Sequence, residues 1–90
     1  MEKTHKIFPC YIEFKDHQSE PTWMNRTELH DFVPEQVYQL GWLVDEDETC
    51  YKVSGQICDD GDVGDTIVIL KSTVKEIKKL KIKMPKWKNI

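Results

Sequence analysis

The chain has no apolar run approaching the roughly 20 residues that cross a bilayer, and its opening stretch, MEKTHKIF, holds no hydrophobic segment of the secretory-signal kind. Cysteine is scarce and unpaired: Cys10, Cys50 and Cys58 are odd in number, widely spaced and without a C-x-x-C pair. That pattern argues against a disulfide framework and for reduced, partly buried thiols. The separation of Cys10 from His17 is too loose for a zinc ligand pair. Together these absences predict a cytoplasmic protein with no membrane segment. Also missing are G-x-S-x-G, a Walker loop, H-E-x-x-H and H-x-E with C-x-x-C. No catalytic residue, metal site or cofactor is therefore expected, and an enzyme is the least favoured class. Repeats, low-complexity tracts and Gly/Ser linkers are lacking too. The 90 residues read as one domain, ordered over about 7–84, with 85–90 as a tail.

What the chain does have is enough apolar residue for a small core, 39%, beneath a well-solvated surface, 32% charged. The net charge of −3 hides a split. Residues 1–70 carry 5 basic and 15 acidic side chains, and residues 71–90 carry 8 basic and 1 acidic. Such asymmetry fits a polar tail, a local nucleic-acid contact or a seam between acidic and basic faces of neighbouring copies.

Period-2 patterning dominates. In KIFPCYIEFKD, Phe8, Cys10, Ile12 and Phe14 share one face and Tyr11 and Glu13 the other, with Pro9 near the strand start where it is tolerated. A polar loop with an isolated Trp23 follows, then a short helical turn over Arg26–Phe32 capped by Asn25 and stopped by Pro34. QVYQLGWLV alternates Tyr38, Leu40, Trp42 and Val44 against Val37, Gln39, Gly41 and Leu43, and Gly41 marks a bend or bulge. CYKVSGQI and TIVIL supply two more strands. In VKEIKKLKIKM the apolar spacing starts at three (Val74, Ile77, Leu80) and becomes two (Leu80, Ile82, Met84), which fits a helical turn opening into a strand. An amphipathic helix over 72–80, capped by Ser72, is the alternative. Five strands with short connections predict a mainly β fold: a small, strongly bent antiparallel barrel, with one short helical turn.

The acidic stretches have structural readings. From Asp59, an EF-hand pattern would place Val63 at position 5 and Leu70 at position 12, where a bidentate glutamate is required. DDGDVGD is thus a turn rather than a calcium loop. DEDE at 45–48 lies between two strands, where four adjacent acids stay in water and do no acid–base work.

The candidate ligand-binding residues are Lys71, Ser72 and Thr73, a cation and two hydroxyls in a tight turn after an apolar strand, suited to a phosphate. Trp23 and Tyr38 are the aromatics offered for stacking on a base. Lysines alternate with Leu80, Ile82, Met84 and Trp87 towards the end, as on a guarded edge strand or an anion-binding surface.

VYQLGWLVDEDETCYKV followed by TIVILKSTVKEIKKL resembles a widespread group of small bacteriophage proteins, whose pattern is a G-W-L-V-type strand, an acidic turn, a Y-x-V strand and an I-P/L-K-S/G-x-I-x-x-I-x-x-L ending. The upstream YIEF strand and Trp23 fit as well, so the resemblance covers roughly residues 10–80; Leu70 stands where a proline often precedes the lysine. The layout also resembles Sm-like barrels, which form rings by pairing edge strands and bind RNA or nucleotides at pores and seams. The resemblance implies a homo-oligomer in the host cytoplasm that counters host defence by sequestering a phosphorylated small ligand, such as a cyclic nucleotide. Two other functions stay open. One is an inhibitor of a host protein acting through its acidic face. The other is an RNA-binding Sm-like module using Lys78, Lys79, Lys81 and Lys83.

Overall fold

The structure is a computed structural model that describes residues 6–82. The expectations for Lys83, Met84, Trp87 and the tail lie outside those residues. The chain is mainly β: β1 (Phe8–Asp16), helix α1 (Arg26–Asp31), β2 (Glu35–Glu46), β3 (Cys50–Ile57), β4 (Val63–Leu70), a 3-10 turn (Lys71–Thr73) and β5 (Val74–Lys79). The five strands form one antiparallel sheet in the order β4-β3-β2-β1-β5.

That order forces the sheet to curl. Laid flat, its outer strands would stand about 19 Å apart, four steps of about 4.8 Å. Yet β4 and β5 are joined by three residues in 3-10 form, which advance only about 2 Å each. Strand β2 makes the curl possible by serving both halves: residues 35–43 pair with β1, and Trp42 to Glu46 pair with β3. Gly41 sits at the handover. A Cβ there would lie 2.7 Å from Val53 Cγ1 and 3.0 Å from the Ser54 carbonyl oxygen, so only glycine lets the halves approach. The bulge expected at Gly41 falls slightly later, at Val44, the extra residue between the Leu43–Val53 and Asp45–Lys52 pairs. The curl stops short of a closed barrel: among the described residues β4 and β5 share no ladder.

The core is the inward face of these strands. Cys10, Ile12, Phe14, Leu43, Val53 and Ile69 are buried, with Val37, Tyr51, Ile67, Val74 and Ile77 packed against them. Two expectations change in detail. The final section is no amphipathic helix, and the three-residue spacing of Val74 and Ile77 comes from a bulge: Phe14 pairs with Val74 and Glu13 with Glu76, leaving Lys75 extra. Both apolar residues thereby face inward. Strand β4 also begins three residues before TIVIL, so the acidic turn is confined to Cys58–Asp62. The Cys58 N–H donates to the Asp62 carbonyl at 2.7 Å and the Gly61 N–H to the Cys58 carbonyl at 2.9 Å. Gly61 supplies the positive φ of 96°.

Candidate functional site

Lys71, Ser72 and Thr73 together form the 3-10 turn. Its donors are largely committed. The Lys71 N–H donates to the Thr49 carbonyl at 2.8 Å, and the Thr73 hydroxyl donates to the Leu70 carbonyl at 2.7 Å. The Lys71 ammonium donates to Glu46 Oε2 at 2.8 Å and lies 4.9 Å from the centre of the Tyr51 ring. The Glu46 hydrogen bond raises the Lys71 pKa above the ordinary lysine value. The lysine therefore fastens the turn to the end of β2, an attachment no local spacing reveals because Glu46 is 25 residues away. Ser72 is exposed, and its hydroxyl remains available. Thr73 lines a cleft with Phe14 to His17 of the β1 end and Ile67 to Leu70 of β4, enclosing about 90 Å³. A nucleotide needs about 300 Å³ or more, so one copy does not enclose such a ligand here.

The two aromatic candidates are not part of that cleft. Trp23 is 98% exposed in the β1–β2 connection. Tyr38, 66% exposed, stands on the outer face of β2 opposite Glu13. Beside it Glu13 is paired in register with Glu76, Lys78 pairs with Glu76 at 3.3 Å, and the Tyr11 hydroxyl donates to Glu13 Oε1 at 2.6 Å. The Glu13 hydrogen bond, chiefly, pushes the Tyr11 pKa up to about 12.

The DEDE stretch is structural. Asp45 pairs with Lys52 at 3.4 Å and Glu46 with Lys71. Asp47 Oδ1 accepts from the Thr49 and Cys50 N–H groups, each at 2.8 Å, and this holds its pKa below the ordinary value. Among the described residues no three His, Cys, Asp or Glu side chains gather as a metal site, and no helix is long and apolar enough to cross a membrane.

Two further surface features stand out. The first, already suggested by the charge split of the sequence, is a pair of open, oppositely charged sheet edges. Acids Asp59, Asp60 and Asp62 lead into β4, which itself carries Asp65, and Lys75, Lys78, Lys79 and Lys81 line β5 and its exit. Val63, Val68 and Leu70 of β4 are exposed apolar residues. The second is a shallow apolar groove of about 290 Å³ in the notch where β2 leaves β3 for β1, bounded by Leu40, Trp42, Pro9, Leu80 and Ile82 over Gly41 and Gly55. The interior glycines of β2 and β3 were its only sequence signal.

Comparison with known proteins finds no matching family model, no similar curated protein and no similar solved structure. Function is therefore argued from the fold and these surfaces.

Proposed function

We propose that this is a non-enzymatic binding protein that acts as a homo-oligomer, its copies joined β4 to β5 along open sheet edges. We further propose that it captures a phosphorylated small ligand at the seam, as a phage accessory protein countering host defence. The observation that carries this is the charge order of the two edges. In antiparallel pairing, the acidic start of β4 meets the lysine-rich end of β5 of the next copy, while Leu70 and the 3-10 turn meet that copy's Val74. The seam then brings Ser72 beside Lys75 of the neighbouring copy, a cation with no role in the core, and adds the wall that the 90 Å³ cleft lacks.

Native mass spectrometry of the purified protein tests the assembly and reveals any co-purifying small molecule. Calorimetry with a panel of cyclic nucleotides tests the ligand class. Saturable binding that weakens in Ser72→Ala and Lys75→Gln supports the reading. A monomer at all concentrations, or an oligomer giving no heat with any nucleotide, defeats it.

A second reading, an inhibitor that grips a host protein, is favoured by the exposed Trp23 and by the Glu13–Glu76 patch. Pull-down from bacterial lysate at low and high salt separates it, since a charge-driven contact fades with salt. The RNA-binding reading is weaker. Lys78 pairs with Glu76 at 3.3 Å, and the Lys79 ammonium lies 4.3 Å from the centre of the Phe8 ring, so each cation already has a partner in its own chain.

A further inference from the structure

The β3–β4 hairpin runs on past the core. Val53 and Ile67 are paired in register, the first inside the core and the second packed against it. Side chains alternate along a strand, so the next two pairs on that face are Gly55 with Asp65 and Ile57 with Val63. The contacts agree: a Cβ on Gly55 would stand 2.9 Å from Asp65 Oδ2. Ile57 is half-buried, Val63 is 43% exposed, and neither joins the core cluster. Strand β2 pairs with β3 only as far as Ser54. Among the described residues the hairpin beyond that point is a two-stranded ribbon, an arrangement that is marginal in water unless something packs on its apolar face.

The chain leaves β5 towards this ribbon. The Leu80 N–H donates to the Pro9 carbonyl at 2.8 Å, and Ile82, the last described residue, borders the same groove as Gly55. The eight residues that follow, KMPKWKNI at 83–90, span up to about 26 Å when extended. Gly55 and Ile57 are about 7 Å apart along their strand, so the ribbon lies well within reach. The chemistry fits too. Lysines 81 and 83 alternate with Leu80, Ile82 and Met84, and Trp87 stands between Lys86 and Lys88. Residues 55–65 carry four aspartates and no cation, whereas residues 81–90 carry four lysines and no acid.

We propose that residues 83–90 fold back as a strap over the Ile57–Val63 face of their own chain. Met84 and Trp87 cover the apolar pair, and the lysines meet Asp62 and Asp65 on either side of it. The strap supplies the packing that a two-stranded ribbon needs, and it gives the basic end of the sequence its acidic counterpart within one molecule. It engages the face of the hairpin and leaves the backbone edge of β4 open. The inference therefore goes beyond the ligand-capture reading and does not depend on the seam.

The test uses the full chain with a photo-cross-linking residue in the strap, Trp87→p-benzoylphenylalanine, in an equal mixture of 14N- and 15N-labelled protein. Single-isotope cross-links from position 87 to the peptide holding residues 55–65 are expected. Amide hydrogen exchange supplies an independent readout. In Met84→Ser with Trp87→Ser, exchange at residues 55–57 and 63–65 is expected to speed up on the order of tenfold or more, with Ile12 and Val53 unchanged. Mixed-isotope cross-links would overturn the proposal by giving the segment to a neighbouring copy. Cross-links to other peptides, or none, would also overturn it, as would unchanged exchange in the hairpin or an equal rise at Ile12 and Val53.

Discussion

At the scale of single residues, two side chains are held away from their ordinary state. Asp65, inside β4, has a φ of +55°, in the left-handed region that short polar side chains tolerate and β-branched ones do not. Asp65→Val is expected to cost about 1–2 kcal/mol, read as a lower urea midpoint at unchanged slope, whereas Asp65→Gly, which relieves the strain, is expected to escape that loss. Tyr11 is the other case. Its hydroxyl donates to Glu13, so ionising it places a second negative charge against that carboxylate and the pKa rises from 10.0 to about 12. A folded-state pKa above the unfolded one means a contribution to stability that is intact below pH 10 and is lost as pH climbs through about 12. Ultraviolet titration should show one tyrosine ionising late, and Glu13→Gln should bring it back towards the ordinary value. A Tyr11 that titrates normally in the wild type would refute the assigned hydrogen bond.

At the scale of elements, the sheet and the β1–β2 connection, an arm over residues 17–34, have separate jobs. Because α1 buries nothing and the Gln18–Val33 bond closes the arm at its root, replacing residues 20–31 with a short Gly/Asn turn should leave the thermal midpoint nearly unchanged. A large drop would mean the arm packs on the sheet after all. What the sequence made legible follows the same division. Phe8, Cys10, Ile12 and Phe14 were readable as one face because a strand alternates strictly. Asn25 was readable as a cap because its partner, Glu28, lies three residues on. The bulges at Val44 and Lys75 were not readable, since each reflects the register of a distant strand rather than its own neighbours. The commitment of Lys71 to Glu46 and Tyr51 was hidden for the same reason. Within LKST the cation looks available, and only the curl that carries the end of β4 back to the end of β2 removes it. Trp23 was readable as the odd residue of a polar loop, but the apolar groove beside Leu40 and Leu80 is built from three strands and the exit of β5, which no single stretch displays.

At the scale of the whole molecule, the lysines of β5 have two opposite explanations. Lysines on an open edge commonly guard it, because like charges on approaching copies discourage strand addition. They can equally recruit an acidic edge, and here one exists, with Asp59, Asp60 and Asp62 leading into β4 and Asp65 inside it. Salt distinguishes the two by sign. Screening lengths fall from about 10 Å at 0.1 M to about 3 Å at 1 M. If the lysines guard, salt removes the repulsion and the average mass rises. If they recruit, salt removes the attraction and the mass falls. Unlike charges on the two edges favour the second outcome: the mass in sedimentation runs should drop between 0.05 M and 1 M NaCl. Lys79→Glu with Lys81→Glu should reproduce that drop at low salt, and adding Asp60→Lys with Asp62→Lys in the same chain should reverse it. Exposed Val63, Val68 and Leu70 oppose full dissociation, since their burial strengthens rather than weakens in salt. A mass that climbs with salt would identify the β5 lysines as a shield, and the seam, with any ligand site built on it, would have to be abandoned.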